Sequence, residues 1–461
     1  MTGRLEPFEP FSKGKVSVYV CGPTVYDYSH IGHARTYISF DVIVRYLEYR
    51  GYKLTYVVNI TDIDDKIIAR AKETNEDPLV LSKRFEQAFF EDMEEFNLRP
   101  ADQFPRVSDH IQDIIIMIEG LVEKEAAYVA DGDVYFDVTK IQDFGKLSHQ
   151  SLDQMMAGAR VEIDRKKRSP HDFALWKRSD EGEPGWDSPW GHGRPGWHME
   201  CSVMSMKYLG PQLDIHGGAK DLIFPHHENE IVQSESYTGK KPFAKYWIHT
   251  GFLTINGLKM SKSLGNFITI RDLLKRHSAE SFRLFALSTH YRRPVDFSDE
   301  GLSQAEAGLE RIYETRDRLR NLIRSDACRE SPDEERLLEE IAEAKEKYLM
   351  GMDNDFNSAI ALASFHDLIR LGNRVGDLKS SKRVTQAALD TINELGAIFG
   401  LFQHEKEELA ISDQVKALIE ERDRARKQRD WKKADEIRER LRKMGISLRD
   451  SPDGTTVAVE S

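Results

Sequence analysis

Cysteine is scarce in this chain: Cys21, Cys201 and Cys328 are the only three in 461 residues. Three thiols cannot build a disulfide framework, so a reducing cytoplasm is the expected compartment. No apolar run reaches the length of a membrane span, and residues 1–14 lack the basic and apolar regions of a secretory leader. A soluble chain with no membrane partner is expected. Positive charge is not in excess either. The net charge of −12 argues against indiscriminate polyanion binding but leaves room for a local basic patch. There is no Walker phosphate loop and no internal repeat. Gly191-His192-Gly193-Arg194-Pro195-Gly196 has the spacing of a dinucleotide fingerprint, but no strand precedes it and Pro195 offers no N–H, so it is rejected. What is present, 31% charged and 10% aromatic residues, reads as a globular chain long enough for several domains.

Two short runs carry the strongest chemical signal. His30-Ile31-Gly32-His33 follows an apolar strand, Lys15 to Val20, and a Gly22-Pro23 turn, and it opens an amphipathic helix from Ala34 to Tyr49. Imidazoles at a helix N-terminus suit phosphate oxygens, because the exposed N–H groups and the helix dipole already favour anions there. Gly32 has no side chain, so a flat base or sugar can lie on its backbone. Lys259-Met260-Ser261-Lys262-Ser263 lies on a Gly/Ser-rich loop, residues 257–266, able to close over a triphosphate and neutralise charge developing on pyrophosphate. In this order and so far apart, the runs read as two halves of one nucleotide-phosphate site, with magnesium expected where that nucleotide is ATP.

Short apolar strands (Val16 to Val20, Leu54 to Ile60) alternate with amphipathic helices up to about Asp113, which predicts a parallel sheet with crossover helices. From Ile114 to about Pro189 the pattern turns irregular and reads as an insertion. It contains the basic cluster Arg165-Lys166-Lys167-Arg168, either a solvated loop or a nucleic-acid contact. Strand-like and helical patterns resume at Trp197–Met206, Gln212–His216 and Pro225–Tyr237, and from Ile270 onward the chain is mostly helical. A last helical pair, Asp413–Lys427 and Trp431–Lys443, precedes a compact ending with Pro452-Asp453-Gly454. A second constellation consists of Cys21, Cys201, His226 and Glu230. Pro225 suits the first turn of a helix, and a spacing of four puts His226 and Glu230 on one face. Two thiolates, an imidazole and a carboxylate are ligands that zinc accepts. The two cysteines are too far apart for their spacing to be diagnostic, and chemistry alone reads them first as small buried residues.

The two phosphate runs resemble the HIGH and KMSKS signatures of class I aminoacyl-tRNA synthetases. The segments Tyr19–Tyr26, Asn59–Lys66, Gly196–Ser202, Asp214–Gly218 and Phe224–Glu230 resemble the cysteinyl-tRNA synthetase family, and the likeness covers essentially the whole chain. It implies an α/β fold: a Rossmann-type parallel-sheet catalytic domain with an insertion, then a helical bundle and a small C-terminal anticodon-binding domain. The corresponding boundaries are 1–113 and 191–250 for the two catalytic halves and 114–190 for the connective insertion. Residues 251–315 form the KMSKS and stem-contact region, 316–406 the bundle, and 407–461 the C-terminal domain. It implies activation of L-cysteine by ATP and transfer to the 3′ end of tRNA(Cys) by a monomeric enzyme. His30, Gly32, His33 and Lys262 are then expected to bind ATP, with His30, His33, Lys259 and Lys262 acting in catalysis. One zinc ion is expected on Cys21, Cys201, His226 and Glu230, where the substrate thiolate also binds, with His227 and Glu228 as neighbours. Gly22, Thr24, Thr61, Trp197 and His216 are expected around the amino acid, Trp197 as a wall that moves. No editing domain is evident.

Basic residues flanking Trp431 suit stacking on an unpaired base, although composition alone favours a solvated helix with a core tryptophan. By resemblance, Arg422, Arg426, Trp431, Asp435 and Asp450 become anticodon readers. Two other readings share part of this pattern. A ligase passing activated cysteine to an amino sugar, as in mycothiol-pathway enzymes, has no use for the anticodon-reading tail. A non-catalytic RNA-binding relative has no use for intact HIGH and KMSKS runs.

Overall fold

The computed structural model describes residues 1–150, 166–180, 182–260, 265–330, 333–403, 413–428, 430–443, 446–451 and 454–459. Lys262, with residues 261–264 of its loop, and Arg165 lie outside them. Two compact units divide the chain, Met1–Leu401 and Phe402–Ser461.

In the first unit, β1 (Lys15–Val20) is followed by α1 (Ile31–Tyr49) and β2 (Lys53–Val58). β1 pairs in parallel with β2, with Val18 opposite Tyr56. Past Val58 the strand direction is kept only by single bridges, Thr24 to Thr61 and Ile60 to Arg106, so β2 is shorter than its apolar run. α2 (Asp65–Thr74) and α3 (Pro78–Glu95) start on aspartate N-caps, Asp64 and Asp77, and Pro78 stands at the first helical position of α3, where its missing N–H costs nothing.

Among its described residues, the segment read as an irregular insertion carries regular strands. After α4 (Ile111–Glu123) come β3 (Ala127–Ala130), β4 (Asp133–Phe136), β5 (Phe173–Arg178) and β6 (Gly193–Pro195), an antiparallel sheet in that order around the buried Trp176. The rejected glycine run falls on β6, which pairs antiparallel with β5, and its last glycine, Gly196, is the N-cap of the next helix.

α5 (Trp197–Leu209) leads to β7 (Leu213–Ala219), α6 (Glu228–Thr238) and β8 (Ala244–Thr250). β7 pairs in parallel with β1 and with β8, giving the order β2-β1-β7-β8. The strand order therefore reverses between β1 and β7. Outside the carboxyl ends of such a pair, the crevice is the usual ligand site of an open α/β sheet. The expected helix opening at Pro225 is seen. Phe224 alone is extended (φ −137°, ψ 133°), and from Pro225 the backbone is helical and runs on through His226 and His227 into α6.

β9 (Leu253–Ile255), β10 (Leu258–Lys259), α7 (Ile270–Leu274), α8 (Ala279–Leu287) and β11 (Val295–Phe297) follow, with the strands ordered β10-β9-β11. α9 (Asp299–Arg324), α10 (Glu334–Asp353), α11 (Ser358–Leu378) and α12 (Lys382–Ile398) pack into a bundle. Arg283 on α8 is fully buried, bonds Asp41 of α1, and donates to the carbonyls of Phe96 (2.8 Å) and Phe399 (2.9 Å). Stranding one partner of such a buried pair costs about 3–5 kcal/mol.

In the second unit, α13 (Asp413–Lys427) and α14 (Trp431–Lys443) bury Leu418, Ala425, Ala434, Ile437 and Leu441. β12 (Ile446–Ser451) and β13 (Gly454–Val459) form an antiparallel hairpin. Among the described residues no helix is long and apolar enough to cross a membrane.

Candidate active site and metal centre

Cys21 ends the β1 run at the point where the strand order reverses, and its N–H donates to Gly217 of β7 (2.9 Å). Cys201 reaches the same place from α5, and His226 and Glu230 come from the turn and helix after β7. One donor atom from each lies within 4.8 Å of every other, and all four residues are buried. The two sulfurs are 3.8 Å apart, the edge of about 3.8 Å that two Zn–S bonds of ~2.3 Å make at a tetrahedral angle. His226 Nε2 and Glu230 Oε1 are 3.0 Å apart.

A second set overlaps the first: Cys21, His216, His227 and Glu230. His227 Nε2 lies 3.2 Å from Cys21 Sγ, so this histidine is closer to the cluster than a mere neighbour. Its Nδ1 lies 2.8 Å from His249 Nε2. Glu228 takes no part, because its carboxylate accepts the N–H groups of Gly145 (3.0 Å), Leu147 (3.1 Å) and Ser148 (2.8 Å).

Burial and charge shape the ionisation of these groups. Burial works against charge on Glu230, yet His216 and His226 bring its carboxyl down to about 2. Burial also opposes protonation of His226, but Glu230 and Cys201 hold its pKa at about 10. Burial pushes the Cys21 thiol up, further raised by Cys201. Cys201 is drawn down to about 6 against burial, by its bond to Cys21 and the charge of His226. Without a metal the cluster thus already favours a thiolate and a carboxylate beside an imidazolium.

Trp197, 37% exposed, stacks on His226 with ring centroids 4.5 Å apart. His216 donates through Nε2 to Glu230 (2.8 Å) and stacks on Trp247. Thr61 is buried and donates to Glu200 (2.8 Å) while accepting from Asn59 Nδ2 (3.2 Å). Glu200 is itself buried, and burial and then Cys201 push its carboxyl well above the usual carboxylate range. Gly22 is fixed by close approach, since a Cβ there would lie 1.5 Å from the Asn59 carbonyl oxygen. Its N–H is already given to Asn59 Oδ1 (2.8 Å). Thr24 bridges to Thr61.

The other chemistry lies on the same side of the sheet, at the start of α1. His30 is the N-cap, and its Nδ1 accepts from the N–H groups of Gly32 (3.1 Å) and His33 (3.3 Å). Backbone N–H groups only donate, so the ring proton sits on Nε2. His33 Nδ1 accepts from His30 N (3.3 Å), which fixes the same tautomer, and the two rings stack at 3.8 Å. Burial, then His30 and Lys66, hold His33 well below the usual histidine range, so it acts as a neutral N–H donor. Over Gly32 there is little room: a Cβ would come within 3.2 Å of Met260 Cε, so the lysine run meets the histidine run here. Lys259 pairs with Asp221 (3.6 Å) and lies over the Phe252 ring.

In the C-terminal unit Trp431 is 58% exposed at the start of α14 and Asp435 is exposed one turn on. Arg426 is half-buried. Arg422 is 2% exposed and bonds Asp423 (3.2 Å). Asp450 lies on β12 opposite Thr455.

Comparison with known proteins reads the same way along the chain. The family model of the class I (C) tRNA synthetase catalytic domain matches residues 7–307, a DALR domain 347–403, and a cysteinyl-tRNA ligase anticodon-binding domain 410–457. A cysteine–tRNA ligase of Thermococcus gammatolerans is 51% identical over 99% of this chain and 97% of its own length. One from Geobacter metallireducens is 50% identical over 100% and 98%. The chain belongs to the cysteinyl-tRNA synthetase family. It is an aminoacyl-tRNA synthetase, a ligase of class I. Solved synthetase structures share the fold. A Mycobacterium tuberculosis methionyl-tRNA synthetase in complex with methionyl-adenylate superposes with TM-score 0.62, at 16% identity over 84% of this chain and 89% of that one. A leucyl-tRNA synthetase ternary complex from Agrobacterium radiobacter gives 0.64, at 12% identity over 85% and 86%.

Within this cysteinyl-tRNA synthetase, sequence reasoning passed over Asn59, Glu200, His198, Trp247 and His249. Glu200, inside Trp197-His198-Met199-Glu200-Cys201, was the one with a local signal: a carboxylate set among apolar residues on a helix that had to be buried.

Proposed function

We propose that this enzyme activates L-cysteine with ATP and transfers it to the 3′ end of tRNA(Cys), selecting cysteine at the donor cluster between β1 and β7. The observation that carries this reading is the convergence of Cys21, Cys201, His226 and Glu230 at that point. When bound there, zinc supplies a Lewis acid that prefers a thiolate to the harder, more basic hydroxyl of serine. The donor chemistry fits it. His226 Nδ1 lies 2.9 Å from His198 Nδ1, the outer contact that fixes a ligating imidazole. His216 Nδ1 has no such partner among the described residues, which favours the set with two sulfurs over the set with two or more imidazoles. Thr61, Trp197 and His216 then enclose the amino acid. Gly22, its N–H already engaged, and Thr24 shape the wall.

Attack of the cysteine carboxylate on the α-phosphate forms cysteinyl-adenylate and releases pyrophosphate. A hydroxyl of the terminal ribose of the tRNA then displaces AMP. Phosphoryl chemistry of this kind depends on position and charge, so no side-chain nucleophile is required. His30 and His33 donate from Nε2 to the phosphates on Gly32's side of the helix, magnesium accompanies ATP, and Lys259 and Lys262 neutralise the leaving pyrophosphate. One chain supplies every one of these residues, so a monomer suffices, and the cytoplasm is its proposed compartment.

Trp431 is proposed to stack on an anticodon base, with Arg426, Asp435 and Asp450 as polar contacts and Arg422 needing to be uncovered to join them. Stacking of this kind contributes about 1–3 kcal/mol. Trp431→Ala is therefore expected to lower charging of tRNA while leaving cysteine-dependent pyrophosphate exchange intact; equal loss in both assays refutes the assignment. The function itself is tested by charging total tRNA with labelled cysteine, serine serving as competitor. Cysteine activation without any charging would favour the amino-sugar ligase instead.

A further inference from the structure

Arg35, in the second turn of α1, is 1% exposed, and among the described residues its two terminal nitrogens donate to main-chain carbonyls, Gly251, Phe252 (2.7 Å) and Arg293, while its buried Nε has no partner. A cation so enclosed is costly unless its N–H groups are satisfied. What only a guanidinium provides is a rigid fork that holds two chain segments at once. Here the segments are the roots of two strands. Gly251 and Phe252 stand immediately before β9, and Arg293 two residues before β11, its parallel partner. β9 turns back into β10, which ends at Lys259. Beside the fork, Thr36 Oγ1 lies 2.9 Å from Thr250 Oγ1 at the end of β8. Beyond the lysine run, Ile31 N donates to the Ile268 carbonyl (3.1 Å) and Ile270 N to that of Ser29 (2.9 Å). Both ends of the stretch from 251 to 270 are thus fastened to the start of the helix that His30 caps.

We infer that Arg35 is a positioning residue that sets the register between the His30/His33 turn and the hairpin carrying Lys259, so that one ATP meets both. This builds on the reading of those runs as the two halves of the nucleotide site. Arg35 touches no substrate. Its effect falls on the adenylation step and spares the cysteine pocket, whose residues it does not contact.

The test is Arg35→Lys in the zinc-loaded enzyme. An ammonium keeps the charge and the apolar stem but cannot fork. Single-turnover formation of cysteinyl-adenylate at saturating ATP and cysteine is expected to slow on the order of 10²-fold, the cost of a misplacement near 1 Å. Cysteine affinity and zinc content are expected to stay within about twofold, which a general loss of structure would not allow. Thr250→Val removes the neighbouring tether while keeping the branched shape of the side chain and is expected to show the same pattern more weakly. If Arg35→Lys does not fold, Thr250→Val decides alone. A wild-type adenylation rate, or parallel loss of adenylation, cysteine affinity and zinc, overturns the inference. His30→Asn is run alongside. If it slows adenylation and Arg35→Lys does not, only the positioning role fails; if neither does, the nucleotide site itself is misassigned.

Discussion

Replacing Cys201 by serine is expected to lower zinc content and cysteine activation together, with little effect on the fold. The side chain is 2% exposed and its sulfur lies 3.6 Å from Asn59 Oδ1, so a hydroxyl of nearly the same size finds an acceptor in place. What it loses is the ligand. An oxygen that stays protonated near neutral pH is a poor donor to zinc, whereas this thiol already ionises at about 6. Loss of a mere outer-sphere partner costs roughly 10–100-fold in metal affinity, so loss of a direct ligand is expected to cost at least that. Metal analysis beside cysteine-dependent pyrophosphate exchange reads both effects. Unchanged zinc and unchanged exchange would remove Cys201 from the ligand set.

His30→Asn is expected to slow adenylate formation by about 10²–10³-fold, the usual cost of deleting one preorganised donor to developing charge. The substitution separates two duties of one side chain. His30 caps α1 through Nδ1, and Asn is among the strongest N-caps, whereas alanine would cost about 0.5–2 kcal/mol of helix stability. The cap therefore survives while the Nε2 donor is lost. Thermal stability and cysteine binding are expected to hold while the single-turnover rate falls. A rate near wild type would reduce His30 to a capping residue.

Much of the fold was legible because the period of the apolar residues matched the element. Both helices of the C-terminal pair run over the expected spans, Asp413–Lys427 and Trp431–Lys443, and the apolar runs of β1 and β2 lie in a parallel sheet covered on both faces. The insertion was harder. Its strands have three to six residues, Pro195 sits within one of them, and β4 and β5 are separated by more than thirty residues, so no periodicity develops. Pro225 was legible: the chain is extended at Phe224 and helical from Pro225, so the spacing of four sets His226 against Glu230.

The candidate site was legible only where chemistry is local or the family resemblance supplied it. Cys21 and Cys201 are 180 positions apart, and nothing in their spacing points to one ion. Thr61 and Glu200, 139 apart, meet only once α5 packs against the end of β1. His227 read as a bystander because it directly follows His226 in sequence, yet its ring lies against the same cluster, beside Cys21.

The central claim is that one ion sits on two sulfurs and selects the substrate by a third. Zinc-edge X-ray absorption of the loaded enzyme, with and without cysteine, tests it most directly. The account predicts two sulfur ligands per zinc, rising to three with cysteine and staying at two with serine. A single sulfur in the free enzyme would place the ion on Cys21, His216, His227 and Glu230 instead, and a count that ignores cysteine would contradict selection by the metal.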